Sequence, residues 1–221
     1  FQADTHVTTF TFEVLVSSAW AAPNETRWKI DYQADSLPDT QSEPRWTQYR
    51  DATGLGVYTY SASDGILNLL PGGTLSALTF YRRDSVAVAA NAYIEVRLRY
   101  NGIVNDASTP GTVIDDGVKT IAFGVAANTV GFIHSDRSFF PGVYLINTTA
   151  AFHVYQLRKY AADSAVFFVD GVRGGSILYS ALQPTSFPGT SPLFQFGQIS
   201  ISPLDTSDWD YVVYEIGAVS P

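Results

Sequence analysis

No segment of a dozen residues in this chain keeps a helical period. Apolar, β-branched and aromatic residues come instead in short runs closed off by Gly, Pro, Asn and Asp. A pattern of this kind cannot sustain amphipathic helices and reads as strands joined by tight turns. In Ala92-Tyr93-Ile94-Glu95-Val96-Arg97-Leu98-Arg99-Tyr100, for example, Tyr93, Glu95, Arg97 and Arg99 alternate with Ile94, Val96, Leu98 and Tyr100, setting a polar face against an apolar one. Phe152 to Arg158 reads as another strand, and turns are expected at Asp64-Gly65, Pro71-Gly72-Gly73, Asn101-Gly102, Asp116-Gly117, Pro141-Gly142, Asp170-Gly171 and Gly174-Gly175. In Asp208 to Tyr214, alternation predicts a core face of Trp209, Tyr211 and Val213, with Asp208, Asp210, Val212 and Tyr214 opposite. Many short strands over 221 residues predict one large all-β sandwich of two antiparallel sheets.

Composition removes whole classes of chemistry. There is no Cys, hence no disulfide scaffold, thiol nucleophile or cysteine-ligated metal. A net charge of −8 and a pI near 4.7 oppose binding to nucleic acid, which needs clustered Lys and Arg. No stretch approaches the roughly 18 apolar residues of a membrane helix. The nearest, Phe10 to Ala22, carries Glu13 and ends in Ala19-Trp20-Ala21, which resembles a signal-peptide cleavage site, but its alternation reads as a strand.

Two regions stand apart from the body. Residues 1–26 hold one strand, in which Thr8, Phe10, Phe12, Val14 and Val16 share a face, followed by a small-residue linker. Gln183 to Pro192, with Pro184, Pro188, Gly189 and Pro192, reads as an irregular loop. The N-terminal strand has two physical options. It can close an open edge of its own sheet, or it can add to a neighbouring subunit's edge, a contact that generates homo-oligomers or filaments.

From Trp28 onward the order of motifs resembles the concanavalin A-like jelly roll, in its laminin-G-like bacterial extracellular branch. The pieces are Tyr32 to Pro38 leading to Pro44-Arg45-Trp46-Thr47, then Ser63 to Leu69, Tyr93 to Arg99, Phe152 to Leu157, Phe167 to Val172, and Phe196-Gly197-Gln198 followed by Ser207 to Tyr214. The resemblance covers residues 28–219, so residues 27–221 are taken as the jelly-roll domain and residues 1–26 as a separate leader.

The resemblance also implies which chemistry to look for. Hydrolases of this fold carry closely spaced Glu residues on one strand, because retaining hydrolysis needs carboxyls about 5 Å apart. Here Glu13, Glu25, Glu43, Glu95 and Glu215 are far apart in sequence. Alginate-lyase relatives use an Arg-bearing strand and a Gln-x-His strand. Glu95 and Arg97 suggest the first, but Gln198-Ile199-Ser200 lacks the His. No catalytic residues are therefore assigned. No cofactor is required, although Asp210 sits where relatives place an Asp that helps hold a structural calcium ion. Trp20, Trp28, Trp46, Phe139 and Phe140 are candidates for stacking on sugar rings. Asn24 and Asn147 head N-glycosylation sequons.

Three functions remain open. The sequence places first a non-enzymatic extracellular or cell-surface filament subunit that assembles through residues 7–16. A carbohydrate-binding, lectin-like module with polysaccharide as partner comes second. A polysaccharide lyase or hydrolase comes last. Twenty Ser and twenty Thr residues beside the two sequons suit a glycosylated surface protein.

Overall fold

The computed structural model describes residues 32–41, 46–50, 59–70, 78–82, 84, 86–102, 110–134, 138–184, 193–199 and 206–217. Among them, sixteen strands, numbered along the chain, form two antiparallel sheets of eight. Sheet A runs β13 (Val172–Leu178), β12 (Ser164–Val169), β11 (His153–Tyr160), β6 (Ala92–Tyr100), β16 (Ser207–Ile216), β4 (Ile66–Leu70) and β3 (Thr59–Ser63), with β1 (Tyr32–Gln33) also on β16. Sheet B runs β10 (Tyr144–Leu145), β9 (Thr129–Phe132), β8 (Lys119–Val125), β7 (Pro110–Asp115), β15 (Leu193–Gln198), β5 (Leu78–Arg82) and β2 (Thr47–Arg50), with β14 (Gln183–Pro184) on β8. This is the all-β sandwich expected from the sequence. No helix among the described residues is long and apolar enough to cross a membrane.

Two of the three Asp-Gly turns close hairpins with two-residue loops. Asp64 and Gly65 have φ of 55° and 71°, and Asp170 and Gly171 have 50° and 79°. These left-handed pairs match the twist of the strands they join. The apolar residues of β6 face sheet B, as alternation requires, and aromatic pairs bridge the sheets: Phe196 to Trp209 at 5.3 Å, Phe194 to Tyr214 at 4.4 Å, and Phe123 to Phe167 at 5.1 Å. Phe167 lies so close to β13 that a Cβ on Gly174 would come within 2.0 Å of its ring. Gly174 is the extra residue of a bulge, since Phe167 pairs with Gly175 and Phe168 with Arg173.

The central strands of sheet B are buried on both faces. Every residue of β7, β9 and β15, and every residue of β8 except Lys119, is buried. Its inner side chains join the main core. Val113, Ala122, Ile133, Leu193 and Ile199 form a second cluster, with Phe139 packed against it.

Three local expectations are corrected. The turn expected at Gly174-Gly175 is absent, because both residues lie inside β13, where Gly174 forms the bulge. The start of the expected Gln183 to Pro192 loop is strand β14, with Gln183 opposite Thr120; positions 185–192 lie outside the described residues. In β16 the predicted core face breaks after Trp209. Trp209 pairs with Leu98 and Tyr211 with Arg97, leaving Asp210 as a bulge residue. The extra residue shifts the phase, so the core takes Trp209, Val212 and Tyr214, while Tyr211 and Val213 move to the opposite face.

Candidate functional site

The outer face of sheet A is polar and half-buried, and three adjacent strands build it. Tyr93, Glu95, Arg97 and Arg99 project from β6. The register sets Gln156 and Val213 beside Glu95, Arg158 beside Tyr93, and Tyr211 beside Arg97. Glu95 is the hub. Its Oε1 accepts a hydrogen bond from Tyr211 at 2.8 Å, and its Oε2 accepts bonds from Gln156 at 2.6 Å and from the Tyr93 hydroxyl. Burial, reinforced by the Glu95 charge, holds the Tyr93 and Tyr211 hydroxyls well above the usual tyrosine range. Both therefore stay protonated and act as donors. Arg158 bonds Gln156 at 3.1 Å, and its guanidinium lies 4.5 Å from the centre of the Phe168 ring.

At the other end of β6, the ring of Phe152 contacts two guanidinium groups, its centre 5.0 Å from that of Arg97 and 5.1 Å from that of Arg99. Arg97 pairs with Asp210, and Arg99 bonds the Asp208 carboxylate at 2.6 and 3.2 Å. Asn101 adds a third bond to Asp208 at 2.6 Å. The bulge at Asp210 brings its carboxylate to Arg97. This bears on the calcium expectation: the Asp210 carboxylate is taken by a guanidinium, and no group of three or more His, Cys, Asp or Glu residues able to hold a metal occurs among the described residues. A calcium ion takes six to eight oxygens, and among the described residues Asp210 belongs to no acidic cluster that would supply such a shell.

Two further polar clusters serve the frame. Lys159, on the inner face of β11, is fully buried and lies 3.5 Å from Asp116. Its ammonium donates to the carbonyls of Val88 at 2.7 Å, Ala90 at 2.9 Å and Ala87 at 3.4 Å. Asp116 also accepts bonds from the Tyr179 hydroxyl at 2.8 Å and from two backbone N–H groups. Burial lowers the Lys159 pKa, and the charge of Asp116 opposes that shift. The turn read at Asp116-Gly117 thus carries a buried carboxylate that turn chemistry alone does not announce. The second cluster is His153, whose ring nitrogens face Asp170 at 2.6 Å and the Asn147 carbonyl at 3.1 Å, tying β11 to the Asp170-Gly171 turn.

The sequence-derived candidates separate sharply. Trp46 is fully buried, packed edge-on against Phe196 at 4.8 Å, so it belongs to the core and cannot stack on a sugar. Phe139 pairs with Ile133 over the second cluster, and one ring face of Phe140 is covered by His134 at 3.3 Å. Asn147 is exposed, and its Oδ1 accepts a bond from Thr149 Oγ1 at 2.8 Å. The donor-strand residues Thr8, Phe10, Phe12, Val14 and Val16, together with Trp20, Trp28 and Asn24, lie outside the described residues. The lyase-like pieces are on different sheets, with Arg97 in sheet A and Gln198 buried in sheet B. Phe152, Phe168 and Tyr211, which line the polar face together with Tyr93, are not among the stacking candidates the sequence offers. The alternation around Arg97 and Arg99 was the available signal, but their aromatic neighbours come from other strands.

No family model matches the chain, and no curated protein matches it in sequence. Solved structures do match in fold. The metal-free form of the Emp46p carbohydrate recognition domain is similar with a TM-score of 0.55 at 10% identity, over 87% of this chain and 100% of that one. A carbohydrate esterase from Shiga toxin-encoding bacteriophage phi24B matches with a TM-score of 0.54 at 12% identity, over 85% and 99%. An endo-1,3-beta-glucanase from Streptomyces sioyaensis matches with a TM-score of 0.52 at 13% identity, over 87% and 97%. Two packed antiparallel sheets with these relatives in architecture make the chain a jelly roll of the concanavalin A-like fold.

Proposed function

We propose that this protein is a carbohydrate-binding module whose ligand lies across the outer face of sheet A. The observation that carries the reading is Phe152, half-buried against the guanidinium groups of Arg97 and Arg99, with Asn101 and two carboxylates bonded to those arginines or to their partners. Sugar rings present apolar C–H faces and rims of hydroxyls, so an aromatic ring flanked by planar hydrogen-bonding groups suits them. The architectural relatives support this direction, since their names refer to carbohydrate recognition, a carbohydrate esterase and a glucanase. They favour glycan binding over the filament subunit that the sequence set first. We place the protein among binders rather than enzymes because Glu95, Asp208 and Asp210 are each held by hydrogen-bond donors of the frame.

Isothermal titration of the full chain against a panel of polysaccharides, neutral and acidic, tests the reading. Binding to at least one polymer is expected, weakened roughly 3- to 10-fold in Phe152→Ala by loss of the stacking surface. No heat with any polymer, or binding that Phe152→Ala leaves unchanged in a variant with native circular dichroism, overturns it.

A further inference from the structure

The charges on this face are layered rather than mixed. The Arg97 and Arg99 side chains are 42% and 39% exposed, whereas their partners Asp210 and Asp208 are 22% and 8% exposed. The guanidinium heads therefore stand toward solvent while the carboxylates lie beneath them and fix their orientation. Each guanidinium carries five N–H donors. Arg97 spends Nη1 on Asp210, and Arg99 spends Nε and Nη2 on Asp208. Their other donors have no protein partner among the described residues. Because the two residues are two apart on one strand, their Cα atoms stand about 6.6 Å apart on the same side, and the ring of Phe152 is within reach of both heads.

We infer that the ligand is an anionic polysaccharide, whose carboxylate or sulfate groups are bound by the outward donors of Arg97 and Arg99 beside Phe152. This inference rests on the carbohydrate-binding reading and narrows it to a chemical class. Planar guanidinium groups suit such anions because two parallel N–H donors match two anion oxygens, and charge-assisted bonds of this kind are roughly twice as strong as neutral ones. A neutral glycan would offer these outward donors only uncharged acceptors, which make the weaker kind of bond. The chain's net charge of −8 does not steer a polyanion inward, so recognition depends on these short-range contacts.

The test compares a polyuronate, the same polymer after reduction of its carboxyl groups to alcohols, a sulfated glucan, and the unsulfated glucan, all by titration calorimetry with the full chain. The expected result is at least 10-fold tighter binding to the polyuronate than to its reduced form, or to the sulfated glucan than to its parent. The preferred pair identifies the anion. Arg97→Gln and Arg99→Gln should each weaken that binding about 10-fold or more, and Arg97→Lys should fall between, keeping charge but losing the planar fork. Should Arg97→Gln fail to fold with Asp210 uncompensated, Arg97→Gln with Asp210→Asn removes both charges and reads the same loss. Equal binding of each charged polymer and its neutral counterpart, or arginine variants that bind as the parent does, overturns the inference and leaves carbohydrate binding standing. Failure of all four polymers, and of the wider neutral panel, overturns both.

Discussion

Replacing Lys159 with methionine keeps most of the buried aliphatic stem and deletes the ammonium, which makes the variant a direct probe of the polar cluster between the sheets. The deletion removes donors from the carbonyls of Val88 at 2.7 Å and Ala90 at 2.9 Å, and leaves the fully buried Asp116 carboxylate without its counter-charge at 3.5 Å. Two buried acceptors left unsatisfied cost roughly 1–3 kcal/mol each, which brackets the 3–5 kcal/mol typical of removing one member of a buried ion pair. In a domain of this size that corresponds to a fall in Tm of about 6–20 °C. Urea titration followed by tryptophan fluorescence measures it, because Trp46 and Trp209 are both buried in the main core. The double variant Lys159→Met with Asp116→Asn removes the orphaned charge and should lose clearly less than the sum of the two single variants. A Lys159→Met protein within about 1 kcal/mol of the parent, or a double variant whose loss equals that sum, would refute the cluster as a coupled unit.

Alkaline pH should unfold the protein in a way its tyrosines report. Tyr32, Tyr93, Tyr155, Tyr179 and Tyr211 are all held above the ordinary value of 10.0, chiefly by burial. The unfolded chain ionises them near pH 10 while the native state does not, so the stability they carry is complete below that pH and drains away above it. The nearly buried Tyr93 and Tyr155 each account for about 1.4 kcal/mol at pH 11. Absorbance at 295 nm should rise in step with the loss of near-ultraviolet circular dichroism; gradual ionisation in a folded protein would contradict this. Assembly through the N-terminal strand is tested by light scattering of the full chain and of a chain lacking residues 1–16. Larger species that form only with the strand present would revive that reading, and a full chain that stays monomeric at high concentration ends it.

The features legible in the sequence are those that chain neighbours decide. Asp64-Gly65 and Asp170-Gly171 could be assigned as hairpins because an Asp-Gly pair imposes its own backbone geometry. The two faces of β6 followed from alternation within nine residues. What escaped depends on distant partners. Trp46 and Phe152 look equally able to stack on a sugar, yet one meets Phe196 and Tyr214 in the core while the other meets Arg97 and Arg99 outside. Lys159 sits beside Arg158 in an ordinary polar-looking strand end, and the placement of Ala87 to Ala90 and of Asp116, distant in sequence, makes its inward position tolerable. Asp210 matched a calcium-binding position by sequence order, whereas the bulge gave its carboxylate to Arg97.

That bulge also bears on how the face above it can change over generations. Strand β16 pairs through Ser207–Trp209 with β4 and through Tyr211–Val212 with β1, and Asp210 is the spacer at the hand-over. Substitutions there alter one ion pair, and losing the residue altogether would remove the bulge while letting Tyr211 follow Trp209 in regular alternation, so that Trp209 and Val212 still face the core and Tyr211 still faces outward. A residue gained or lost anywhere else in the strand would exchange inside for outside over everything that follows. Across any set of relatives, a length change at this one point should therefore be tolerated better than one elsewhere in the strand. The pairing of the last strand with β6, more than its length, is what lineage change must preserve.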